Sequence, residues 1–131
     1  MNIYVEDNSK NMQDESFLKN YRNDVYVEIE NKFYNLSIIT INRFKDEVQE
    51  TFKNESVYCT PNNLVIVEEV TNDCIINSIK ILFKKNYFSG CKECEIIDNS
   101  IVYSLSEEVK KVYKRNSFDL TFPINKLEQI L

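Results

Sequence analysis

The chain has 131 residues, 43% of them hydrophobic, a net charge of −5 and a pI near 4.8, and it contains no histidine. The hydrophobic share is enough for the core of one domain and argues against a disordered chain. An acidic sequence with only three scattered arginines lacks the clustered basic footprint that the phosphate backbone rewards, so no nucleic-acid partner is expected.

Nowhere do 18 apolar residues run together, so no membrane span is expected. The start, Met1-Asn2-Ile3-Tyr4-Val5-Glu6-Asp7, lacks the basic opening and apolar centre of a signal peptide, which points to the cytoplasm. There is no alanine, one glycine, 17 asparagines, 15 isoleucines and 13 lysines. Asn, Ile and Lys share AT-rich codons, a bias suggesting a low-GC bacterium or one of its phages. No repeat or linker composition divides residues 1–131, so a single domain is expected.

Taken in chain order, Met12 to Tyr21 reads as a short helix with Phe17, Leu18 and Tyr21 on one side. From Asp24 to Glu30, Val25, Val27 and Ile29 alternate with Tyr26, Glu28 and Glu30, the pattern of a half-buried strand. Asn31-Lys32 then reads as a two-residue turn into Phe33–Ile39, where Tyr34, Leu36 and Ile38 alternate with Asn35 and Ser37. Val25, Val27, Ile29, Tyr34, Leu36 and Ile38 are the expected core face of this hairpin.

Thr40 can cap a helix to about Lys53, with Ile41, Phe44, Val48 and Phe52 on one stripe. Val57-Tyr58-Cys59 reads as a short strand. Leu64 to Val70 reads as a central strand, because its start is apolar on both faces. Thr71 caps a helix to about Asn86 with Ile75, Ile76, Ile79, Leu82 and Phe83 as its core stripe, and Gly90 sits where a chain reversal follows. Cys94–Ile97 and Ser100–Tyr103 read as strands, and Ser104-Leu-Ser-Glu107 matches a capping box ahead of Val109, Val112 and Tyr113. Phe118–Phe122 reads as a strand, with Pro123 opening a last helix. Hairpins mixed with βα units define an α+β fold, a mostly antiparallel sheet with helices packed on it.

The missing histidine removes the commonest general base, the catalytic triads and the commonest metal ligand. One glycine leaves no phosphate-cradling loop. Cys91-Lys-Glu-Cys94 has the spacing of metal knuckles and redox motifs, and Cys59 and Cys74 would be needed to complete a thiol zinc site. Cys74, however, lies beside a helical core stripe, and the pair lacks the strand-then-helix setting of a thioredoxin motif. Neither structural zinc nor a Cys91–Cys94 disulfide is expected. Glu30-Asn31-Lys32 offers an ExK tripeptide, with Asp14 or Asp24 upstream, resembling restriction-endonuclease-like metal nucleases, but it coincides with the expected turn. Glu68-Glu69 and Asp73 read most simply as a solvated strand end and a helix first turn. No catalytic residue, metal ligand or cofactor is assigned, and the chain is read as a protein without enzymatic activity.

The hairpin's second face carries Tyr26, Glu28 and Glu30 opposite Asn35, and the acidic run Asp46-Glu47 could extend it. Tyr supplies rigid contact area and carboxylates supply steering, so these six residues form the expected partner-binding surface. In size, acidity and lack of catalytic groups the chain resembles the small immunity proteins of bacterial toxin–immunity systems. That resemblance implies a stoichiometric inhibitor that caps a basic toxin domain, encoded nearby, in the producer's own cytosol. A phage-encoded inhibitor of a host defence nuclease would use the same physics. A carboxylate–metal enzyme built on Glu28/Glu30 or Glu68/Asp73 is the alternative from a different class.

Overall fold

The structure is a computed structural model that describes residues 1–94, 101–105, 111–114 and 120–123. Seven strands form one sheet: β1 (Asn2–Val5), β2 (Tyr21–Ile29), β3 (Lys32–Thr40), β4 (Leu64–Val67), β5 (Ile101–Ser104), β6 (Lys111–Lys114) and β7 (Leu120–Pro123). Their spatial order is β4-β3-β2-β1-β5-β6-β7. Every pairing is antiparallel except β3–β4, which is parallel because α2 (Ile41–Phe52) connects the two strands as a βαβ unit. The two remaining helices of the described residues are α1 (Lys10–Lys19) and α3 (Asn72–Lys84). The fold is α+β with a mostly antiparallel sheet.

The hairpin β2–β3 has the core face that its alternation implies. Val25 pairs with Leu36 and Val27 with Tyr34. Val25, Val27, Leu36 and Ile38 are fully buried, Tyr34 nearly so, and Ile29 partly. Each such side chain removed from water contributes about 1.5–3 kcal/mol. The turn lies one residue earlier than expected: Ile29 pairs with Lys32, leaving Glu30 and Asn31 at its centre with φ of 50° and 65°. Two consecutive positive φ values match the right-handed twist of the strands, and they put asparagine second rather than first.

At the other end of β2 a bulge sets Asn23 and Asp24 opposite Ser37, between the pairs Arg22–Ile38 and Val25–Leu36. The extra residue places Arg22 on the same side of the sheet as Val25, a change of phase that strict alternation does not foresee. Strand β1 has no counterpart in the sequence reading. It pairs with β2 on one side and β5 on the other, and Ile3, Tyr4 and Val5 are all buried, as an interior position requires.

The core joins Ile3, Val5, Val25, Val27, Leu36 and Ile38 to Val65, Val67, Val70, Ile75, Ile79 and Phe88, so α3 covers this face. Thr71 caps α3, its hydroxyl accepting from the Cys74 amide, but Phe83 stays exposed and only Ile75 and Ile79 of the expected stripe are fully buried. The chain reversal after α3 is made by Asn86 at φ 59°, not by Gly90, which ends a short 3-10 turn at Tyr87–Gly90. Asparagine tolerates the left-handed conformation because its short amide can bond locally.

Other expectations give way to tertiary packing. Helix α1 begins at Lys10 after a Ser9 cap, ends at an Asn20 cap with φ 59°, and turns Ser16 inward while Phe17 and Leu18 are exposed; Tyr21 already belongs to β2. Thr40 caps α2 as expected, yet no α2 residue is fully buried, and Ile41 and Phe52 are exposed. Residues 57–59 form no strand. Strand β4 is short and lies at the edge of the sheet, not its centre.

Cys94 forms an isolated bridge to Phe33, and residues 95–97 lie outside the described residues. Ser104 belongs to β5, and Lys111–Lys114, expected in a helix, is strand β6. Pro123 ends β7 instead of opening a helix, and 124–131 lie outside the described residues.

Candidate functional site

Opposite the core, the sheet carries Asn2 and Tyr4 of β1, Tyr26 and Glu28 of β2, and Phe33 and Asn35 of β3. The cross-strand pairs Asn2–Glu28, Tyr4–Tyr26, Tyr26–Asn35 and Glu28–Phe33 set them side by side. Tyr4 is fully buried here, packed with Tyr26 and Phe33. The Tyr4 hydroxyl and the Asn2 amide each donate to Glu28 Oε1 at 3.0 Å. The Tyr26 hydroxyl donates to Glu6 Oε1 at 2.9 Å. Burial, and then this bond to a carboxylate, push the Tyr26 phenol well above its ordinary value, so it stays a neutral donor. Asn35 donates from Nδ2 to the Asn23 and Val25 carbonyls at 3.0 and 3.1 Å, bracing the bulge.

The expected partner-binding residues therefore fall in two groups. Tyr26, Glu28 and Asn35 are neighbours on one face, with Glu30 exposed at the turn that closes it. Asp46 and Glu47 sit on α2, which covers the other end of the same face: Arg43 of α2 lies over the Tyr21 ring at 5.6 Å, and Tyr21 is the cross-strand partner of Ile39. Glu47 is engaged by Arg43 Nε at 3.1 Å and by the Tyr58 hydroxyl at 3.3 Å, while Asp46 is exposed. Burial followed by the Glu47 charge raises the Tyr58 phenol.

Sequence reasoning missed Asn2, Tyr4 and Glu6, which hold or extend the carboxylate set. The available signal was Ile3-Tyr4-Val5, a run apolar on both faces, but three residues are too few to separate a strand from an apolar start.

The remaining candidates are dispersed. Glu30 and Lys32 flank the hairpin turn, both exposed. Glu68, Glu69 and Asp73 are exposed between β4 and the first turn of α3. Cys59 lies in an exposed loop, Cys74 and Cys91 pack against the core, and Cys94 bridges Phe33. Burial raises the Cys91 thiol, which keeps it protonated and poorly nucleophilic. Among the described residues no group of three or more His, Cys, Asp or Glu is placed to hold a metal ion, and no helix is long and apolar enough to cross a membrane.

A cleft of about 310 Å³ opens on the core side below the turn, lined by Ile29, Tyr34, Phe83 and Phe88 with Glu30 and Lys32 at its rim. It gathers one carboxylate, one ammonium and the Ser89 hydroxyl, which donates to the Asn86 carbonyl at 2.9 Å. Comparison with protein-family models, curated proteins and solved structures gives no match. The side chains alone carry the functional reading.

Proposed function

We propose that this chain is a non-catalytic binding protein that neutralises a basic protein partner, as a bacterial immunity protein caps a toxin domain in the cytoplasm. The observation that carries this reading is the pair of carboxylates, Glu6 and Glu28, held by the hydroxyls of Tyr26 and Tyr4 on one sheet face, with Glu30 exposed beside them. Carboxylates already fixed by hydrogen bonds lose little conformational entropy when a cation docks, and the neighbouring rings provide rigid contact area. The net charge of −5 adds long-range steering toward a positive surface.

The test is surface plasmon resonance against the product of the adjacent gene at two salt concentrations. Steered association predicts an on-rate toward 10⁸ M⁻¹s⁻¹, in order of magnitude about the upper end for protein pairs, which falls as salt rises. Glu30→Lys, at an exposed turn position, and Glu28→Lys should both slow association. An on-rate indifferent to salt and to both substitutions would overturn the assignment of this face. Failure to bind any neighbouring gene product would remove the immunity reading.

A further inference from the structure

We propose that the open edge of β4 receives an extended, lysine- or arginine-bearing segment of the partner, which adds a strand to the sheet; this rests on the acidic-binder reading above and names a second contact.

Strand β4 ends the strand order, with β3 on one side and, among the described residues, no strand on the other. Natural edge strands are usually blunted by lysine, proline or a bulge, because their outward amides and carbonyls template pairing. Leu64-Val65-Ile66-Val67 carries no lysine, proline or bulge, and its four-residue length alone limits pairing. Ile66 is 49% exposed between the buried Val65 and Val67. Helix α2 packs against β3 and β4 and leaves Ile41 and Phe52 exposed, as is Val57 in the loop that follows. Edge and apolar side chains together suit a strand whose own residues alternate.

Charge selects the occupant. Residues 41–70 carry six carboxylates against three basic side chains, so this stretch holds three of the five net negative charges of the chain. Glu68 and Glu69, both exposed, follow β4 directly. A second copy pairing edge to edge would bring two such acidic stretches together, whereas a basic segment would find opposite charge at Glu68 and Glu69, where the edge ends.

The probe is a fluorescein-labelled peptide of alternating valine and lysine, titrated with the full chain and read by fluorescence anisotropy. Saturable binding is expected, weakened about tenfold or more by Ile66→Lys, which repeats the natural blunting of an edge, and by the pair Glu68→Lys and Glu69→Lys. Leu18→Lys, at an exposed apolar position on α1, should leave binding unchanged, and thermal melts of all variants should coincide. A proline at the peptide's centre should abolish binding.

No binding of the valine–lysine peptide, or binding untouched by Ile66→Lys, overturns the edge proposal. If binding is salt-sensitive and responds to Glu30→Lys but not to Ile66→Lys, the acidic face stands and only the edge falls. If a valine–glutamate peptide binds equally well, charge selects nothing and the acidic-binder reading falls with it. Sedimentation of the chain as a dimer that Ile66→Lys disperses assigns the edge to a second copy and overturns the proposal.

Discussion

Arg22 and Asp24 form an ion pair inside the molecule, Nε to Oδ1 at 2.5 Å, with both side chains almost completely buried. The pair sits at the bulge in β2, where the register shifts between Arg22 and Val25. Asp24 Oδ2 also accepts from the Glu6 and Asp7 amides at 3.1 and 3.4 Å, and Arg22 donates to the Asp7 carbonyl. The pair thereby ties the end of β1 to β2, one step from the Glu6 carboxylate that Tyr26 holds.

Removing one partner strands the other as an uncompensated buried charge. Arg22→Met or Asp24→Leu alone should cost about 3–5 kcal/mol in urea unfolding. The double variant should cost clearly less than the sum of the two, leaving a coupling energy above about 1 kcal/mol. Additive losses would show that the two groups act separately.

The turn residues carry conformational strain that a better pair would relieve. Glu30 at φ 50° is a residue with a Cβ in left-handed backbone, and Asn31 at φ 65° tolerates that region. Replacing Glu30 by Asn and Asn31 by Gly should raise stability by about 0.5–1 kcal/mol. Asn31→Val should lower it by about 1–2 kcal/mol, measured by the same unfolding curves. Equal stability of all three proteins would contradict the positive-φ turn.

Helices α1 and α3 should respond differently to replacement of an apolar residue. Leu18 on α1 is 78% exposed, and Leu18→Lys should change stability by less than about 0.5 kcal/mol. Ile79 on α3 is fully buried, and Ile79→Ala should cost about 2–5 kcal/mol. Thermal unfolding of the pair checks which helix face meets the sheet.

At alkaline pH the buried phenols should weaken the fold. Burial pushes Tyr87 from 10.0 up to about 12, so the folded chain holds this proton more tightly than the unfolded chain. Its contribution is fully present below pH 10 and is lost as pH rises from 10 toward 12. Tyr87→Phe should flatten the fall in unfolding midpoint across that window, and Tyr26→Phe should flatten it across the same window and beyond. An unchanged slope in both would mean that neither phenol is shielded.

Local patterns in the sequence determined a good part of this protein. The alternation through Val25, Val27, Leu36 and Ile38, and the Thr40 and Thr71 caps, were legible because each depends on neighbours within a few residues: a pleat with period two, or one hydroxyl reaching one amide. The α+β class followed from them. The carboxylates Glu28 and Glu30 were legible as a polar face of the hairpin, but Glu28 was not legible as a group held by Tyr4 and Asn2.

Contacts distant in sequence decided the rest. Strand β1 owes its existence to pairing with β2 and β5, whose partners lie twenty or more residues away. The bulge at Asn23 and Asp24, the edge position of β4 and the exposure of Phe17, Leu18 and Ile41 depend on which surfaces meet across the sheet. An apolar stripe records only that a residue can be buried. Whether it is buried depends on there being enough surface opposite to cover it, and here α3 has the core face of the sheet while α2 is only partly covered.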